Sequence, residues 1–416
     1  MDSYDYIIVG AGIAGLHTAI QIKKKHPKAS VVVLERYNYN GGRVVTYKHT
    51  VPGYGKVQWE NGAGRIHKEH QMVMKYMRRY GLTFSPIDDG VGFCDKQSGK
   101  QSDGAIRPNL FETTYIPIIR GLLENLSEDE LAGDTIDGLL GKILGLKKDS
   151  LLGEFAYNSE VDTLRADVGL GTFRGEMGSG AGFGVCVEGL SALIDGMVGD
   201  FERLGGVILM KHRVLDVNGL SLSVSVGKKE ERVEKTLVAK KAVVLALHFD
   251  ALCEIPSIRG WKMLSRVVMR PLMRMYAVFK KGLGVSRFVT DSGIRYFIPI
   301  GEKVAMISYT DGESAEKFMK ILNLEGEVTL LRIVMSDLRK CLPGIPDPIF
   351  FKTHAWKSGC TYWLPGDYDV AASSVEAHTP FPGKPVYICG ESFSLRQAWM
   401  EGALEHAESL LKNVDL

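Results

Sequence analysis

The sequence predicts an α/β protein in which a Rossmann-type domain, assembled from separate segments of the chain, is joined to a second, α+β domain. An apolar run at residues 6–9 is typical of a buried parallel strand, and a glycine-rich turn at residues 10–15 follows it at once. Residues 16–25 can form an amphipathic helix, and a second apolar run at 31–34 ends on Glu35. This succession is the opening βαβ unit of a Rossmann-type domain.

The spacing of the glycines in this unit indicates a dinucleotide site. Gly10 allows the tight turn, Gly12 leaves room for a pyrophosphate to approach the backbone, and Gly15 lets the helix pack closely on the strand. The pyrophosphate is favoured there because the free N–H groups and the dipole of the helix N-terminus attract negative charge. Glu35 stands twenty residues after Gly15, where an acidic side chain can accept hydrogen bonds from the adenosine ribose.

Composition argues against several classes of function. The chain has 416 residues, enough for two or three domains, with 45% hydrophobic and 24% charged residues, as in globular proteins with a large core. A net charge of +2 without a basic cluster argues against a nucleic-acid partner. The six cysteines show no CxxC pair and no zinc-ligand spacing, which predicts free thiols, no metal and a reducing compartment. With no apolar run long enough to span a bilayer and no signal peptide before the first strand, we expect a cytoplasmic protein.

The remaining apolar patterns fall into two groups. The first continues the Rossmann-type domain, with strands at residues 207–210, 220–226, 242–247 and 386–389 and helices at 189–204 and 399–411. The second predicts helices at 72–77, 114–126 and 324–338, irregular glycine-rich backbone at 169–184, and strands of an antiparallel sheet at 273–279, 294–300 and 304–309. We therefore predict a nucleotide-binding domain from residues 1–69, 181–262 and 385–416, and a substrate domain from 263–384 and a helical insertion at 70–180.

Four segments of the chain resemble the flavin-dependent amine oxidases, the superfamily of monoamine, polyamine and L-amino-acid oxidases. Residues 34–35 with 41–43 are similar to the family's ribose-binding acid and its Gly-Gly-Arg turn beside the flavin. Residues 62–66 are similar to the loop that faces the flavin ring, and 188–189 with 213–214 to the helix and strand around the adenine. Residues 390–391 with 399–403 are similar to the C-terminal flavin signature.

This resemblance implies FAD as the cofactor, and the incomplete motif around Cys360 predicts that it is bound without a covalent link. The glycine turn alone does not separate FAD from NAD, whereas the first and last segments favour FAD. Arg43 would bind phosphate or flavin oxygens, Glu391 would accept from ribityl hydroxyls, and the helix that Met400 opens would favour negative charge on the reduced flavin. Alternatively, Arg43 is a surface arginine in a glycine turn and Glu391 is a helix N-cap. The expected cofactor contacts are Gly10, Gly12, Ala14, Gly15, Glu35, Arg36, Gly42, Arg43, Gly62, Ala63, Gly64, Arg65, Val214, Gly390, Glu391, Trp399 and Met400.

The resemblance also implies where a substrate would lie. Trp399 corresponds to one wall of the family's aromatic cage, which orients an amine at the flavin's face. Tyr362 is our choice for the opposite wall, with Trp356 or Trp363 as alternatives. Arg65 makes residues 62–73 more similar to L-amino-acid oxidases, in which an arginine here binds the substrate carboxylate. Alternatively, it braces the flavin or Glu60.

The chain departs from the family pattern at three places. Arg274 occupies the position of the lysine that usually holds a water at the flavin, and an arginine binds water differently, which puts fast reaction with dioxygen in doubt. Tyr37 and Tyr39 stand where the family often has arginines, so fewer phosphate contacts are expected. Cys360 resembles the cysteine that carries covalent flavin in monoamine oxidases, but its surrounding motif is incomplete.

The leading functional hypothesis is FAD-dependent oxidation of a small-molecule amine or amino acid. Hydride transfer to the flavin gives an imine, and dioxygen then gives hydrogen peroxide; Arg274, Trp399, Tyr362 and Arg65 are the expected catalytic-site residues. Two alternatives stay open. One is a flavin dehydrogenase or desaturase with an acceptor other than dioxygen, and the other is a flavin-bound, non-catalytic scaffold. The sequence leaves an oligomer possible.

Overall fold

The protein is built on two seven-stranded sheets, as a computed structural model shows for residues 2–87, 90–94, 106–145, 152–175, 182–227 and 233–416. The first sheet has a parallel core extended by an antiparallel hairpin. Its strands, in spatial order, are Val207–Met210, Val31–Glu35, Asp2–Val9, Val233–Leu245, Ser221–Val226 and His212–Asn218, with Val386–Ile388 pairing to Val233–Leu245.

Both faces of this sheet are covered, so residues 6–9, 31–35 and 242–245 of its central strands are buried. Ile8 and Val33 face a core formed with long helices, whereas Ile7 and Val32 face a core formed with the hairpin and short helices. The long helices are Ile13–Lys25, Gln71–Arg79, Ser191–Arg203 and Met400–Asn413. The short ones are Phe249–Cys253, Pro256–Arg259 and Val370–Glu376, with 3₁₀ turns at Lys262–Arg266 and Glu391–Phe393. The strands come from the three pieces predicted for the nucleotide domain, although the domain limits themselves stay predictions.

The second sheet is antiparallel except for one parallel pair. In order, its strands are Phe350–Trp363, Val267–Val278, Val304–Asp311, Tyr296–Gly301, Phe288–Thr290, Gly92–Cys94 and Arg107–Pro108. The helices Gly312–Glu325 and Glu327–Cys341 contribute to its apolar core. The other described strands form two small sheets. Thr46–Val51 pairs with Gly55–Glu60 in one, and Phe183–Cys186 pairs with Ile66–His67 and Phe84–Pro86 in the other.

The predicted helical insertion is present. It comprises a π-helical turn, Phe111–Tyr115, and the helices Ile116–Leu123, Glu128–Ala132, Ile136–Leu144, Ser159–Asp162 and Ala166–Gly175. Pro117 lies in the first turn of its helix, where its missing N–H costs no helical hydrogen bond. Within the described chain, no helix is long and apolar enough to cross a membrane.

Three sequence-based expectations were wrong. Residues 169–175 are helical rather than irregular, while 176–181 lie outside the described residues. The single helix predicted at 324–338 is the second of two, because Gly326 adopts a φ of +86° and separates them. Cys94 and Cys341 form a disulfide with their Cα atoms 5.9 Å apart, so the cysteines no longer argue for a reducing compartment.

Candidate functional site

A cavity of about 690 Å³ lies where the two sheets meet the glycine-rich turn. Every residue predicted to contact cofactor or substrate lines it, with the single exception of Gly15. Those residues come from segments far apart in the sequence, and a cavity of this size suits a small-molecule or cofactor site.

The glycines shape this cavity in three ways. Side-chain atoms added at Gly12 or Gly42 would meet no protein atom closer than 3.9 Å, so their backbones lie open to the cavity. A Cβ at Gly15 would lie 2.0 Å from the carbonyl oxygen of Gly10, which explains why Gly15 serves helix packing instead. Gly10 has a φ of +104° and would bring a Cβ 2.6 Å from the Ala246 carbonyl oxygen, so a larger residue is excluded there.

Glu35 ends its strand with a buried carboxylate. It accepts hydrogen bonds from the backbone N–H groups of Ala11, at 2.9 Å, and Tyr37, at 2.8 Å. Burial raises the pKa of Glu35, and the two N–H donors oppose that rise. Glu35 therefore supports the glycine turn as well as lining the cavity. The neighbouring Arg36 donates to the Tyr37 hydroxyl at 2.6 Å.

Glu391 joins three segments of the cavity wall. Its carboxylate accepts from Arg43 Nη2 at 2.9 Å, from the N–H and hydroxyl of Thr361 at 2.9 and 3.1 Å, and from the Ala398 N–H at 2.9 Å. Ala398 has a φ of +66°, which is strained for a residue other than glycine, and it directly precedes Trp399. Glu391 thus stabilises the backbone that places Trp399. A contact from Glu391 to ligand hydroxyls stays a prediction.

A bulge in the second sheet opens the cavity on one side. Pro271 in the strand Val267–Val278 has no N–H to donate, and the partner strand loses its register opposite it, over residues 357–359. Arg43 Nη1 donates to the carbonyl oxygen of Gly359 in this bulge at 2.7 Å. Trp356 and Cys360, on either side of this irregular stretch, both line the cavity.

Some of the aromatic side chains predicted for the substrate site line the cavity, and one belongs to the apolar core. Trp399, Tyr362 and Trp356 line the cavity, whereas Trp363 is fully buried and donates to the Ser394 carbonyl oxygen at 3.0 Å. The alternative that Trp363 forms a cage wall was therefore wrong. Trp399 packs against Phe183, with the ring centroids 5.7 Å apart.

Arg65 lies among aromatic rings at one end of the cavity. Its guanidinium carbon is 4.9, 5.0 and 5.7 Å from the ring centroids of Tyr157, Phe183 and Trp399. Burial alone would lower the pKa of Arg65, but the neighbouring Tyr157 and Tyr309 hold it above its ordinary value. Over the residues that the structure describes, Arg65 forms no hydrogen bond or ion pair. Its charge is therefore available to a ligand.

Arg274, for which the resemblance predicted the place of the family's lysine, is more deeply buried. Its guanidinium carbon is 4.6 Å from the ring centroid of Tyr309, and Nη1 donates to the Glu60 carbonyl oxygen at 3.3 Å. A Cβ on Gly64 would lie 2.9 Å from Nη1, so the glycine gives this head group its room. Burial acts to lower the pKa of Arg274, but the hydroxyl-bearing rings of Tyr309 and Tyr276 raise it, and the charge persists.

Several cavity residues were not predicted from sequence. Tyr157 and Glu160 come from the helical insertion, and Tyr309 and Asp311 from the end of a strand in the second sheet. No local signal in the sequence identifies the first two, because only folding brings the insertion to the cavity.

One of the four segments that resemble the family lies only partly at the cavity. Glu188 does not line the cavity; it accepts from the N–H and hydroxyl of Thr83, at 2.9 and 2.8 Å. Its partner in that resemblance, Val214, does line the cavity, as do Tyr37 and Tyr39, whose rings stack 5.2 Å apart.

Comparisons with known proteins agree with this geometry. The family model for flavin containing amine oxidoreductases matches residues 13–409. Two solved structures of putrescine oxidase, a double and a triple mutant made to redesign cofactor binding, share the fold. They have TM-scores of 0.73 and sequence identities of 15% and 14%, and the match covers 99% of both chains in each case. No curated protein matches the sequence.

Proposed function

The chain belongs to the flavin containing amine oxidoreductase family, and we propose that it uses FAD to oxidise an amine that also carries a carboxylate, that is, an amino acid. The observation that carries the substrate class is Arg65, whose guanidinium lies among three aromatic rings. In the described structure no acidic side chain forms an ion pair or a hydrogen bond with it, and Glu160 acts on it only through its charge. An arginine fork matches a planar carboxylate, whereas its charge repels a simple ammonium ion.

The residues present fit FAD. The open backbone at Gly12 and Gly42 leaves space for a pyrophosphate, and the helix N-terminus that begins at Ile13 favours its charge. Glu35 and Arg43 line the same cavity, where the first would accept hydrogen bonds from the ribose and the second would supply a positive charge. Bound there, FAD would accept a hydride from the carbon that bears the amine.

The chain's own side chains supply orientation and exclusion of water. Trp399 and Tyr362 offer flat apolar surfaces that favour a neutral amine over its hydrated, charged form. Arg65 anchors the carboxylate, which fixes the carbon to be oxidised between these walls. Putrescine, named in the matched structures, lacks a carboxylate. Because those structures are only 15% identical in sequence, their likeness shows the fold and not the substrate.

Dioxygen is the proposed electron acceptor. Arg274 favours a second candidate function, a dehydrogenase that passes its electrons to another acceptor. This side chain is held by the Tyr309 ring and the Glu60 carbonyl oxygen, and it is only 6% exposed. A rigid arginine leaves less freedom to hold a water than a lysine does. That observation favours a dehydrogenase with another acceptor.

A steady-state assay tests the proposed function. The purified holoprotein is supplied with L-amino acids, each paired with its decarboxylated amine and with putrescine as a further amine. We expect amino acids to be oxidised more efficiently than their amines, with hydrogen peroxide formed for each imine. Oxidation of amines alone would contradict the substrate class, and turnover that needs an artificial acceptor would favour the dehydrogenase.

Removing the carboxylate of Glu35 should weaken FAD retention. Glu35→Ala removes the proposed charge-assisted contact to ribose and the hydrogen bonds to the N–H groups of Ala11, in the glycine turn, and of Tyr37. We expect a loss of about 1.5–3 kcal/mol in FAD binding. The ratio of flavin to protein after dialysis measures this, with Glu35→Gln, which keeps one acceptor, as the milder control. Full retention in Glu35→Ala would show that the acid has no part in binding.

The flavin should be released when the protein is denatured by acid or heat. Burial raises the pKa of Cys360 to about 12, so its thiol stays protonated and is a poor nucleophile for forming a covalent link. Flavin fluorescence in the supernatant after precipitation measures release. Fluorescence that stays with the denatured chain would contradict the non-covalent assignment.

A further inference from the structure

His248 lies just beyond the carboxyl end of a central strand of the first sheet, beside the glycine turn. The strand Val233–Leu245 ends three residues before it. The chain between them passes close to Gly10, where an added Cβ would lie 2.6 Å from the Ala246 carbonyl oxygen and 3.5 Å from the Leu247 side chain. Ligands of open α/β sheets bind at the carboxyl ends of the strands, and His248 lines the cavity at this end.

The two ring nitrogens of His248 have different surroundings. Nδ1 accepts a hydrogen bond from the Ala251 N–H at 3.3 Å, so the side chain caps the short helix Phe249–Cys253. Because Nδ1 is an acceptor, the neutral ring carries its proton on Nε2. Burial and the positive charges of Arg43 and Arg36 lower the pKa of His248 to about 3, so the ring is neutral near pH 7.

The Nε2–H group of His248 is a donor that the protein leaves open. In the described structure Nε2 forms no hydrogen bond, and it is not one of the buried polar atoms that lack a partner. It therefore keeps accessible surface in a side chain that lines the cavity. The short helix behind it is tied to the bulge of the second sheet, because the Asp250 carboxylate accepts a hydrogen bond from the Ser358 hydroxyl.

The charges around His248 indicate an anionic ligand. Arg36 follows the predicted ribose contact in the sequence, and Arg43 belongs to the turn predicted beside the flavin. They pair with Glu254 and Glu391 at 3.6 and 2.9 Å, yet both still act on the His248 ring as positive charges. In FAD the pyrophosphate joins the adenosine to the flavin part and carries the negative charge, so its oxygens suit a donor at this place.

We propose that His248 is a cofactor-binding residue whose Nε2–H donates a hydrogen bond to a pyrophosphate oxygen of FAD. The assignment rests on the proposed use of FAD, and it adds a side-chain donor to the backbone N–H groups near the glycine turn. Tyr37 and Tyr39 stand where the resemblance led us to expect arginines. His248 then supplies part of the phosphate recognition that these two positions lack.

The test uses His248→Asn. Asparagine keeps a side-chain oxygen that can accept from the Ala251 N–H, and it is a preferred N-cap residue, but it does not reach as far as Nε2. His49→Asn is the matched control, because His49 is exposed and does not line the cavity. The readouts are the dissociation constants of FAD, of ADP and of adenosine for the FAD-free full chain, measured by titration calorimetry.

We expect His248→Asn to raise the dissociation constants of FAD and ADP by about tenfold or more, because a hydrogen bond to a charged group is lost. Adenosine lacks the pyrophosphate, so its dissociation constant should stay the same. His49→Asn should leave all three constants unchanged. The urea midpoint of FAD-free His248→Asn should equal that of the native chain, because the helix cap is kept.

A second measurement needs no substitution. Diethyl pyrocarbonate acylates neutral imidazole rings, and mass spectrometry of peptides reports how far each histidine of the native chain has reacted. We expect bound FAD to protect His248 from the reagent and to leave His49 as reactive as before. This measurement decides the assignment if His248→Asn does not fold.

Three results would overturn the assignment: unchanged FAD and ADP constants in His248→Asn, equal losses for ADP and adenosine, or a His248 that reacts equally with and without FAD. If the native chain binds FAD and one of these results is found, the proposed use of FAD stands and His248 alone is excluded. If the native chain binds no FAD, the proposed cofactor fails and the assignment fails with it.

Discussion

Arg65→Met is expected to lower kcat/KM for an amino acid by a factor that corresponds to about 2–5 kcal/mol, because a bidentate, charge-assisted pair in a closed site is lost. The decarboxylated amine never makes this contact, so its kcat/KM should stay nearly constant or improve. Methionine keeps much of the apolar contact that Arg65 makes with Tyr157, Phe183 and Trp399.

The control for this variant is Arg65→Lys, which keeps the charge and loses the planar fork. We expect it to lie between the native protein and Arg65→Met for the amino acid. Equal losses for amino acid and amine in Arg65→Met would mean that Arg65 serves the flavin or the fold, and a simple amine would then be the better substrate.

Glu391→Ala is expected to cost about 3–5 kcal/mol in the free energy of unfolding, because it leaves a charged partner without its counter-ion in a largely buried pair. Arg43 would lose its carboxylate partner, the Ala398 N–H would lose its acceptor, and the strained backbone before Trp399 would be released. Urea denaturation of the FAD-free protein measures the change.

Glu405→Ala supplies the matched control for Glu391→Ala. Glu405 pairs with Arg396 at 3.3 Å, and both side chains are more than a third exposed, so less than about 1 kcal/mol is expected. A similar, small cost for both variants would show that the Arg43–Glu391 pair does not hold the cavity wall.

The sequence predicts those parts of the fold whose cause is local. Apolar runs predict the strands at 6–9 and 31–34. The glycine turn could be predicted because its backbone needs conformations, such as the positive φ of Gly10, that residues other than glycine rarely adopt. The strands that pair with them could also be predicted, because buried parallel strands appear in the sequence as continuous apolar runs. The cavity positions of Gly12, Glu35 and Arg43 depend on the same local rules.

Features that depend on distant contacts were missed or left undecided. The disulfide joins residues 247 positions apart, and no spacing rule pairs them. Tyr362 and Trp363 could not be separated, because the strand that carries them is buried on both sides and only the folded chain shows which of them lines the cavity. Tyr157 lay in the predicted helical insertion, outside the helices predicted there, and its contact with Arg65 arises only in the folded chain.

Anaerobic mixing tests the central claim most directly, namely that this cavity brings FAD and a carboxylate-bearing amine together. The yellow holoprotein is mixed without oxygen with an L-amino acid or with its decarboxylated amine, and the flavin absorbance near 450 nm, a property of any oxidised flavin, is followed. Rapid bleaching by the amino acid, and slower bleaching by the amine, is the predicted result. A protein that binds no flavin, or whose flavin no amino acid bleaches, would contradict the account.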